Sequence, residues 1–353
     1  MFFINNNKKF EKMLEGIELT ATMENKARTS YKAVYDYCIN QSLLVDFMPQ
    51  GSFLTGTVIK PYREDENDEY NFYDIDILCL YSENSDLGQD PKEIKQTLGN
   101  IIKRNEIYKE KLEEEYDKCW TLRYNEVNNY RFKLDLVPAI NNLINIYITN
   151  RDGDGSYSWK KSDSLKFGEW FLGISNRSMS LAFMEEQTIK IKKELKFEDS
   201  LKEIPKYYYQ SYLQKAVKIL KRNRDIFYSR KANENIIRPS SMIMCTLAAE
   251  AIENETISSI EEALTKTIRY VKTKFKDFDI KNPVCSQENL CEEWTILDKE
   301  TFKEWILLFE KDFLLTNDLK EFEANVKTGI NESFNLNLIQ DYNEVKEVKP
   351  WMV

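Results

Sequence analysis

Apolar residues recur every three to four positions along residues 8–45 and 91–117, a spacing that predicts helices. Short apolar runs typical of strands stand between and after them, at 45–50 and 73–81 and then at CWTLRY, YRFKLDLVPAI and INIYITN. Most of these strands are adjacent in sequence, which favours an antiparallel or mixed sheet over a doubly wound parallel one. Turn residues cluster at RDGDGS, where this mixed half ends.

From about residue 164 onward the pattern is helical. The periodic segments are SYLQKAVKILKRNRDIFY, SSMIMCTLAAEAIE, SIEEALTKTIRYVKTKF and KEWILLFEKDFLLTNDLKEFEANVKTGI. We therefore expect an α+β protein with an α/β lobe at residues 1–163, a helical lobe at 164–340 and a mobile tail at 341–353. A cleft between two such lobes is a common ligand site.

Composition removes several classes of function. The 353 residues include no histidine, which excludes histidine-based triads and histidine-ligated zinc. The six cysteines are scattered without a CxxC pair, which favours free, mostly buried thiols. A net charge of −9 argues against a broad nucleic-acid binder but allows a local basic pocket for a small anion. No apolar run approaches a membrane span or a signal peptide, so we expect a soluble, cytoplasmic protein.

Two carboxylates interrupt the apolar strand at 73–81. Side chains alternate along a strand, so Asp74 and Asp76 face the same way, where two ionised carboxylates are costly to bury. A divalent cation such as Mg²⁺ relieves that cost, since it prefers oxygen ligands and pairs with substrate phosphates. Asp135 interrupts a second strand, YRFKLDLVPAI, and the two strands can be neighbours. Three such carboxylates make a platform for two metal ions.

Gly51 and Ser52 are candidates for binding phosphate. Glycine before a helix lets the backbone approach closely, and the helix start offers N–H groups while serine adds a hydroxyl; Thr55 and Thr57 are placed to assist. Alone, a Gly-Ser pair usually marks a turn, and two aspartates in a strand often mark an exposed edge. The ordered set of Gly-Ser, Asp-x-Asp and a distant strand aspartate is far more specific.

This set resembles the polymerase-β-type nucleotidyltransferases. More narrowly, the chain is similar to the cGAS/DncV-like nucleotidyltransferases (CD-NTases), bacterial synthases of cyclic oligonucleotides in anti-phage (CBASS) signalling. The resemblance rests on GSFLTGTVIKP, YDIDILCL, KLDLVPAI, LQKAVKILKRNRDIF, RPSSMIMCTLAA and NPVCSQENLCEEW. It implies a polymerase-β-like nucleotidyltransferase lobe beside the helical lobe, with the active site in the cleft between them.

The resemblance also assigns roles. It implies that Asp74 and Asp76 bind metal and nucleotide phosphates, and that Asp135 binds the catalytic metal and helps deprotonate an acceptor 2′- or 3′-hydroxyl. It selects Lys221 and Ser241 as triphosphate ligands. Alternative interpretations stay open at this stage. The basic helix that carries Lys215, Lys218, Lys221, Arg222 and Arg224 can instead be a solvated face, and Ser240 can be a helix cap.

Two positions depart from the family pattern. Asp163-Ser164 replaces a usual Asn-Pro near the lobe junction, so no role is transferred to Asp163. Asn223 stands where the family usually has histidine. The tyrosines at 207–209 and Tyr212 can stack on a base, although aromatic residues at helical spacing are more often core. The acidic loop at 63–70 is expected to be a surface hairpin.

The leading hypothesis is an enzyme that converts NTPs, ATP among them, into a cyclic di- or trinucleotide and pyrophosphate. It would use two Mg²⁺ ions, with Mn²⁺ as a substitute. The alternatives are a linear-product nucleotidyltransferase acting on RNA ends or a protein hydroxyl, and a nucleotide- or partner-sensing module. We expect a monomer without a DNA activator, since the chain lacks a zinc-binding insert and a large basic stripe. The tail at 341–353 is a candidate docking peptide for a regulatory protein.

Overall fold

The computed structural model describes residues 6–43, 45–62, 72–81, 90–127, 130–142, 145–179, 204, 210–231 and 235–314. Its helices are α1 (Asn6–Ile17), α2 (Ala21–Asn40), α3 (Gly51–Thr55), α4 (Pro91–Lys103), α5 (Glu106–Lys109), α6 (Ser164–Arg177), α7 (Tyr212–Ser229), α8 (Ser241–Glu250), α9 (Ile260–Thr273) and α10 (Ile296–Phe309). Its strands are β1 (Val45–Pro49), β2 (Phe72–Tyr81), β3 (Trp120–Val127), β4 (Tyr130–Asn142), β5 (Asn145–Arg151), β6 (Tyr157–Ser162), β7 (Lys281–Asn282) and β8 (Cys285–Asn289). The acidic loop at 63–70, the tyrosines at 207–209 and the tail at 341–353 lie outside the described residues.

Strands β1 to β6 form one mixed sheet in the order β1-β2-β4-β5-β6, and β3 also pairs with β4. The β2 and β4 strands run parallel, while the other pairs in this sheet are antiparallel. The long β4 is shared, because its first half pairs with β3 and its last residues pair with β5. The sheet is mixed, which is one of the two arrangements that the sequence favoured, and the two strands that carry the candidate carboxylates are direct neighbours.

One predicted helix, over residues 91–117, is wrong beyond Lys103, where α4 ends. The side chain of Asn105 caps a new one-turn helix, α5, by accepting hydrogen bonds from backbone N–H groups. Leu112 then forms a bridge to Leu122 of β3. Residues around Leu112, which continue the helical spacing of apolar residues in the sequence, therefore lie beside β3 of the sheet. The sequence of β6, YSWKKS, lacks a clear apolar alternation. This segment is a strand because it pairs with β5.

Two large hydrophobic cores lie on either side of the candidate site. One contains the sheet with α2 and α4, and the other is formed by α6 to α10. Helix α1 joins the helical core through Phe10, Met13 and Ile17, which are fully buried, although it precedes the sheet in sequence. The lobe boundaries proposed from the sequence stay a prediction. Every helix within the described ranges is too short or too polar to span a bilayer.

Candidate active site

Three aspartates form a row on one face of the sheet where β2 and β4 lie side by side. Asp74 and Asp76 are two residues apart on β2 and share a face. The parallel register places Asp76 directly beside Asp135 of β4. From β3, the hydroxyl of Thr121 donates to Asp135 Oδ1 at 2.6 Å. The structure thus brings together the three carboxylates that the sequence singled out.

The aspartate row concentrates negative charge. Burial, with the charges of Asp135 and Asp74 added to it, raises the pKa of Asp76 to about 7. Burial also raises the pKa of Asp135 to about 6, against the lowering effect of the Thr121 hydrogen bond. The pKa of Asp74 is also raised, because the surrounding protein atoms desolvate its carboxylate. Part of this side chain remains open to the cleft. Such a set of carboxylates binds protons or other cations readily.

The donor set is chemically suited to a hard divalent cation such as Mg²⁺, because all three groups offer carboxylate oxygen atoms. Within the described ranges, no group of three or more cysteine, aspartate or glutamate side chains is already arranged to hold an ion. The three carboxylates of the row are the groups that would hold one. The fit rests on donor chemistry and on the raised pKa values of Asp76 and Asp135.

Gly51 lets the start of α3 approach the aspartate row. Its φ of 61° lies in the left-handed region, which glycine adopts without strain. A Cβ atom there would stand 2.2 Å from Asp76 Oδ2, so the site requires glycine on steric grounds as well. The backbone N–H of Gln50 donates to the carbonyl of Asp76 at 2.9 Å, which ties this turn to β2. Thr55 and Thr57 are buried and hydrogen-bond each other at 2.9 Å, away from the cleft.

A cavity of about 260 Å³ opens between the sheet and the helical core. Six of the seven predicted site residues line it: Gly51, Ser52, Asp74, Asp76, Lys221 and Ser241. Asp135 is the exception; it lies on β4, directly beside Asp76. The cleft between the lobes is therefore where the sequence predicted it, and Asp76, which lines the cavity, is the direct neighbour of Asp135.

Lys221 supplies positive charge from the helical side. Its side chain is buried, and its Nζ donates to the carbonyl of Thr57 at 2.9 Å. Burial, followed by the charge of Arg224, lowers the pKa of Lys221 to about 8. A buried ammonium group whose proton is held this weakly is stabilised when an anion enters the cavity.

The interpretation of α7 as a solvated basic face is wrong for most of its cations. Lys218, Lys221, Arg222 and Arg224 are all buried. Lys218 pairs with Glu18 at 2.8 Å, and Arg222 donates to the carbonyl of Lys60 at 2.5 Å. These partners lie just after α1 and in the segment after α3, so the basic helix holds the N-terminal segments against the helical core.

Two further residues of α7 have structural roles. The Trp305 Nε1–H of α10 donates to Asn223 Oδ1 at 2.7 Å, so the residue at the family's histidine position joins two helices. Tyr212 packs against the helical core, which agrees with the core interpretation of the aromatic residues.

Sequence reasoning missed a charged cluster in the cavity wall. Arg224 donates from Nε and Nη2 to Asp225 Oδ1 at 2.8 and 2.6 Å, and from Nη1 to the carbonyl of Pro239 at 2.8 Å. Arg238 lies 3.5 Å from the same carboxylate oxygen. All three charged residues line the cavity. In the sequence, the only indication of this cluster was the adjacent pair Arg224-Asp225 in RNRDIF. Because both residues are buried, the pair forms an ion pair inside the protein and not on a solvated surface.

The two adjacent serines at the start of α8 have separate tasks. Ser240 is the helix cap, since its side chain accepts from the backbone N–H of Ile243 at 3.3 Å. Ser241, the first helical residue, lines the cavity. The structure therefore supports the cap interpretation for Ser240 and leaves the Ser241 hydroxyl on the side of the cavity.

Comparison with known proteins identifies the family. Residues 4–174 match the model of the Second Messenger Oligonucleotide or Dinucleotide Synthetase domain. A c-di-GMP synthase of Roseivirga ehrenbergii is 30% identical over 327 residues, which cover 88% of this chain and 78% of that protein. The chain belongs to the CD-NTase family. It is a nucleotidyltransferase of the cyclic oligonucleotide synthase class.

Solved structures of CD-NTases share this fold. The Bradyrhizobium diazoefficiens CD-NTase CdnG in complex with GTP superposes with a TM-score of 0.68 at 19% identity, covering 94% of this chain and 97% of that one. CdnC of E. coli in a complex with HORMA-deltaN gives a TM-score of 0.62 at 14% identity, covering 93% and 98%. At these identities the similarity supports the polymerase-β-like fold.

In this CD-NTase the unusual Asp163-Ser164 pair connects α6 to the turn at Gly51. Ser164 Oγ donates to the side-chain Oε1 of Gln50, the residue before Gly51, at 2.5 Å. Asp163 stands at the cap position of α6 without making a capping bond, and it lies 3.4 Å from the Lys161 ammonium. The departure from Asn-Pro therefore places a serine where it contacts the turn at Gly51.

The pKa of Lys221 predicts how nucleotide binding by this CD-NTase depends on pH. Its ammonium group loses its proton above about pH 8, so attraction to phosphate weakens as pH rises. We expect the dissociation constant for NTP, measured by calorimetry with constant Mg²⁺, to rise about tenfold between about pH 7.5 and 9.5. Lys221→Arg, which stays charged, is expected to flatten this profile. Parallel profiles in the two proteins would contradict the prediction.

Proposed function

We propose that this CD-NTase joins two NTPs into a cyclic dinucleotide, with guanine as the preferred base, for anti-phage second-messenger signalling. The observation that carries the proposal is the aspartate row, where Asp76 lies beside Asp135 at the edge of a cavity that contains Lys221. Two carboxylates of the row and the buried Lys221 line this cavity, and with cations held by the row they suit a polyanionic substrate. The name of the R. ehrenbergii relative favours guanine as the base. ATP as a substrate stays a prediction.

The reaction consists of two transfers of the same kind. In the first, the hydroxyl oxygen of an acceptor NTP forms a bond to the α-phosphorus of a donor NTP. The bond from that phosphorus to the bridging oxygen breaks, and pyrophosphate leaves with the bonding electron pair. In the second, the free hydroxyl of the linear product attacks the α-phosphorus of its own 5′-triphosphate, which closes the ring and releases a second pyrophosphate. Each hydroxyl gives up one proton.

The residues of the chain take distinct roles in this proposal. Lys221, Ser241, Ser52 and the backbone at Gly51 bind and orient the donor triphosphate in the cavity. Asp135 orients the acceptor hydroxyl and favours the loss of its proton, with its own orientation held by Thr121. Two Mg²⁺ ions, held by the aspartate row, would supply Lewis-acid stabilisation of the charge on the phosphates, with Mn²⁺ as a substitute.

We also propose regulation by a protein partner and no requirement for DNA. The E. coli CdnC structure is a complex with HORMA-deltaN, which makes a protein partner a reasonable expectation for this family member. The C-terminal tail remains our candidate docking peptide, and a monomer remains our expectation for the enzyme alone.

An incubation with all four labelled NTPs and Mg²⁺ or Mn²⁺, followed by phosphatase and mass spectrometry, tests the proposed function. We expect a phosphatase-resistant product with the mass of cyclic di-GMP. Phosphatase-sensitive chains alone would instead support the linear transferase. Bound nucleotide without any product would favour the sensing module or an enzyme that needs its partner.

A further inference from the structure

The turn between β5 and β6 carries a motif that the proposed function does not use. Residues 150–158 read NRDGDGSYS, and we refer to them as the hairpin loop. Gly155 is the sixth residue, and the side chains at every second position carry oxygen: Asn150, Asp152, Asp154, Ser156 and Ser158. A calcium-binding loop takes its ligands from the first, third, fifth, seventh and ninth positions and has glycine at the sixth. The hairpin loop matches this pattern at all six positions.

The backbone of the hairpin loop is tightly closed. The N–H of Asp152 donates to the carbonyl of Ser156, and the N–H of Gly155 donates to the carbonyl of Asp152, both at 2.8 Å. Gly155 has a φ of 84°, in the left-handed region that glycine adopts without strain. Glycine is therefore required here for the same reason as in a calcium-binding loop, where it allows a sharp turn.

Two oxygen atoms of the hairpin loop lack a hydrogen-bond donor among the described residues. Ser158 Oγ is buried and has no partner there. Asn150 lies directly opposite Ser158 in the register of β5 and β6, so the two side chains share a face of the sheet. Asn150 is 8% exposed, and its Nδ2 donates to Asp152 Oδ1 at 2.8 Å, which leaves its own Oδ1 without a donor. Buried polar atoms are nearly always satisfied, so these two facing oxygen atoms indicate a ligand.

The two aspartates of the hairpin loop supply negative charge beside these oxygen atoms. Asp154 accepts from the backbone N–H and the hydroxyl of Ser156 at 2.9 and 2.7 Å, both through Oδ1. Asp152 accepts from Asn150 through Oδ1 as well. Each carboxylate has a second oxygen that these hydrogen bonds do not use. The Lys160 ammonium is 3.9 Å from Asp152 Oδ1, which is too far for a hydrogen bond.

Closure of the turn is the simplest alternative role for these residues. An aspartate in a turn often accepts from the backbone N–H two residues further on, as Asp154 does from Ser156. This role gives no task to Ser158 Oγ or to Asn150 Oδ1. It also predicts that calcium has no effect on the protein, so the two roles can be separated by experiment.

We infer that the hairpin loop binds a hard divalent cation, Ca²⁺ by preference. The ligands are Asn150 Oδ1, the carboxylates of Asp152 and Asp154, the carbonyl of Ser156 and Ser158 Oγ. With water they reach the about six to eight oxygen ligands that Ca²⁺ takes in flexible geometry, whereas Mg²⁺ demands a nearly regular octahedron. None of these residues lines the nucleotide cavity, so the site is distinct from the aspartate row and does not depend on the proposed function.

The composition of the hairpin loop predicts weak binding. It contains two carboxylates, and its twelfth position, where calcium-binding loops have a bidentate glutamate, is Lys161. Fewer ligand charges lower the affinity of such loops. We therefore expect a dissociation constant of about 10⁻⁴ to 10⁻³ M for Ca²⁺.

Calorimetric titration with Ca²⁺ is the first test. The whole chain is used in the Asp135→Asn background, which weakens cation binding at the aspartate row. We expect a saturable site whose dissociation constant rises at least about tenfold on Asp154→Asn, because one of two ligand charges is lost. Asparagine keeps an oxygen that accepts from Ser156, so the turn itself is preserved. No saturable binding, or equal dissociation constants with and without Asp154→Asn, would overturn the inference.

Asp277→Asn is the matched control for Asp154→Asn. Asp277 also accepts from a backbone N–H two residues further on, that of Asp279 at 3.1 Å, but in a turn without the motif. Its dissociation constant for Ca²⁺ should equal that of the background protein. Melting temperatures without Ca²⁺ show whether the fold is intact in both variants.

Terbium luminescence locates the ion, because Tb³⁺ replaces Ca²⁺ at oxygen sites and is sensitised by a tryptophan close to it. Trp159 directly follows Ser158 on β6. Emission excited through tryptophan should be displaced by Ca²⁺ and should fall severalfold in Trp159→Phe, while the calorimetric dissociation constant for Ca²⁺ stays the same. Unchanged emission in Trp159→Phe would place the ion elsewhere in the protein and contradict the assignment.

Thermal melting in the two cations tests the preference for Ca²⁺. Saturating Ca²⁺ should raise the melting temperature by about 1–2 °C more than the same concentration of Mg²⁺, and Asp154→Asn should remove this difference. Equal protection by both cations would show that the preference for Ca²⁺ is wrong. Product formation in Mg²⁺ should be unchanged by Asp154→Asn alone. An absence of product from the wild type would count against the proposed function and would leave these binding tests unaffected.

Discussion

Replacement of Asp135 by asparagine is expected to lower the rate of nucleotidyl transfer about 10³-fold, with the fold intact. Asparagine keeps the size of the side chain and an oxygen that accepts the 2.6 Å hydrogen bond from Thr121. It removes the charge that would bind metal and favour loss of the acceptor proton. The measurement is product formation in Mg²⁺, with Asp36→Asn as control, because Asp36 is an exposed helix residue paired with Lys32.

The same variant should change how stability depends on pH in the metal-free protein. The pKa of Asp135 rises from 3.8 to about 6 on folding, so its ionisation is harder in the folded state. Its contribution to stability is present below 3.8 and is lost as pH rises through about 6. Asp135→Asn should remove that loss, and its melting temperature at pH 8 should equal or exceed that of the wild type. Wild-type turnover in this variant would refute the role of Asp135.

Replacement of Gly51 by alanine is expected to lower kcat/KM about 10²-fold, because small displacements of catalytic groups have effects of this size. The new Cβ atom would stand 2.2 Å from Asp76 Oδ2, so the carboxylate must move. The backbone must also hold alanine at a φ of 61°, a conformation that strains residues other than glycine. Steady-state kinetics and the melting temperature of the variant measure the two effects separately.

Gly153→Ala is the matched control for Gly51→Ala. Gly153 lies in the turn between β5 and β6, and a Cβ atom there would meet nothing within 4 Å. Its activity and melting temperature should equal those of the wild type. If Gly51→Ala were also fully active, the close approach between the start of α3 and Asp76 would have no part in catalysis.

Gln50 shows why one substitution near the cleft can have several effects. Gln50 accepts from Ser164 through its side chain and donates to the Asp76 carbonyl through its backbone. The turn at Gly51 is therefore connected both to the helical lobe and to the aspartate row. Movement of α6 would be transmitted to the site through these two hydrogen bonds.

Much of the candidate site was predictable because its signals are local. Asp74 and Asp76 share a face whichever strands lie beside them, since side chains alternate along any strand. The need for glycine at position 51 follows from a turn that brings the backbone close to another group. The order of these motifs in the chain indicated the family, and the order of the strands indicated an antiparallel or mixed sheet.

The remaining features depended on contacts between distant segments. The sequence alone determined that the sheet is not a doubly wound parallel one, that helices follow it, and which carboxylates and cations were candidates. Only the tertiary structure decided that Asp76 lies beside Asp135, that α4 ends at Lys103, and that Lys218 and Arg222 are buried. The physical reason is that helical and strand periodicity are properties of neighbouring residues. Strand register and the burial of a charge depend instead on partners such as Glu18 and the Lys60 carbonyl, which are far away in sequence.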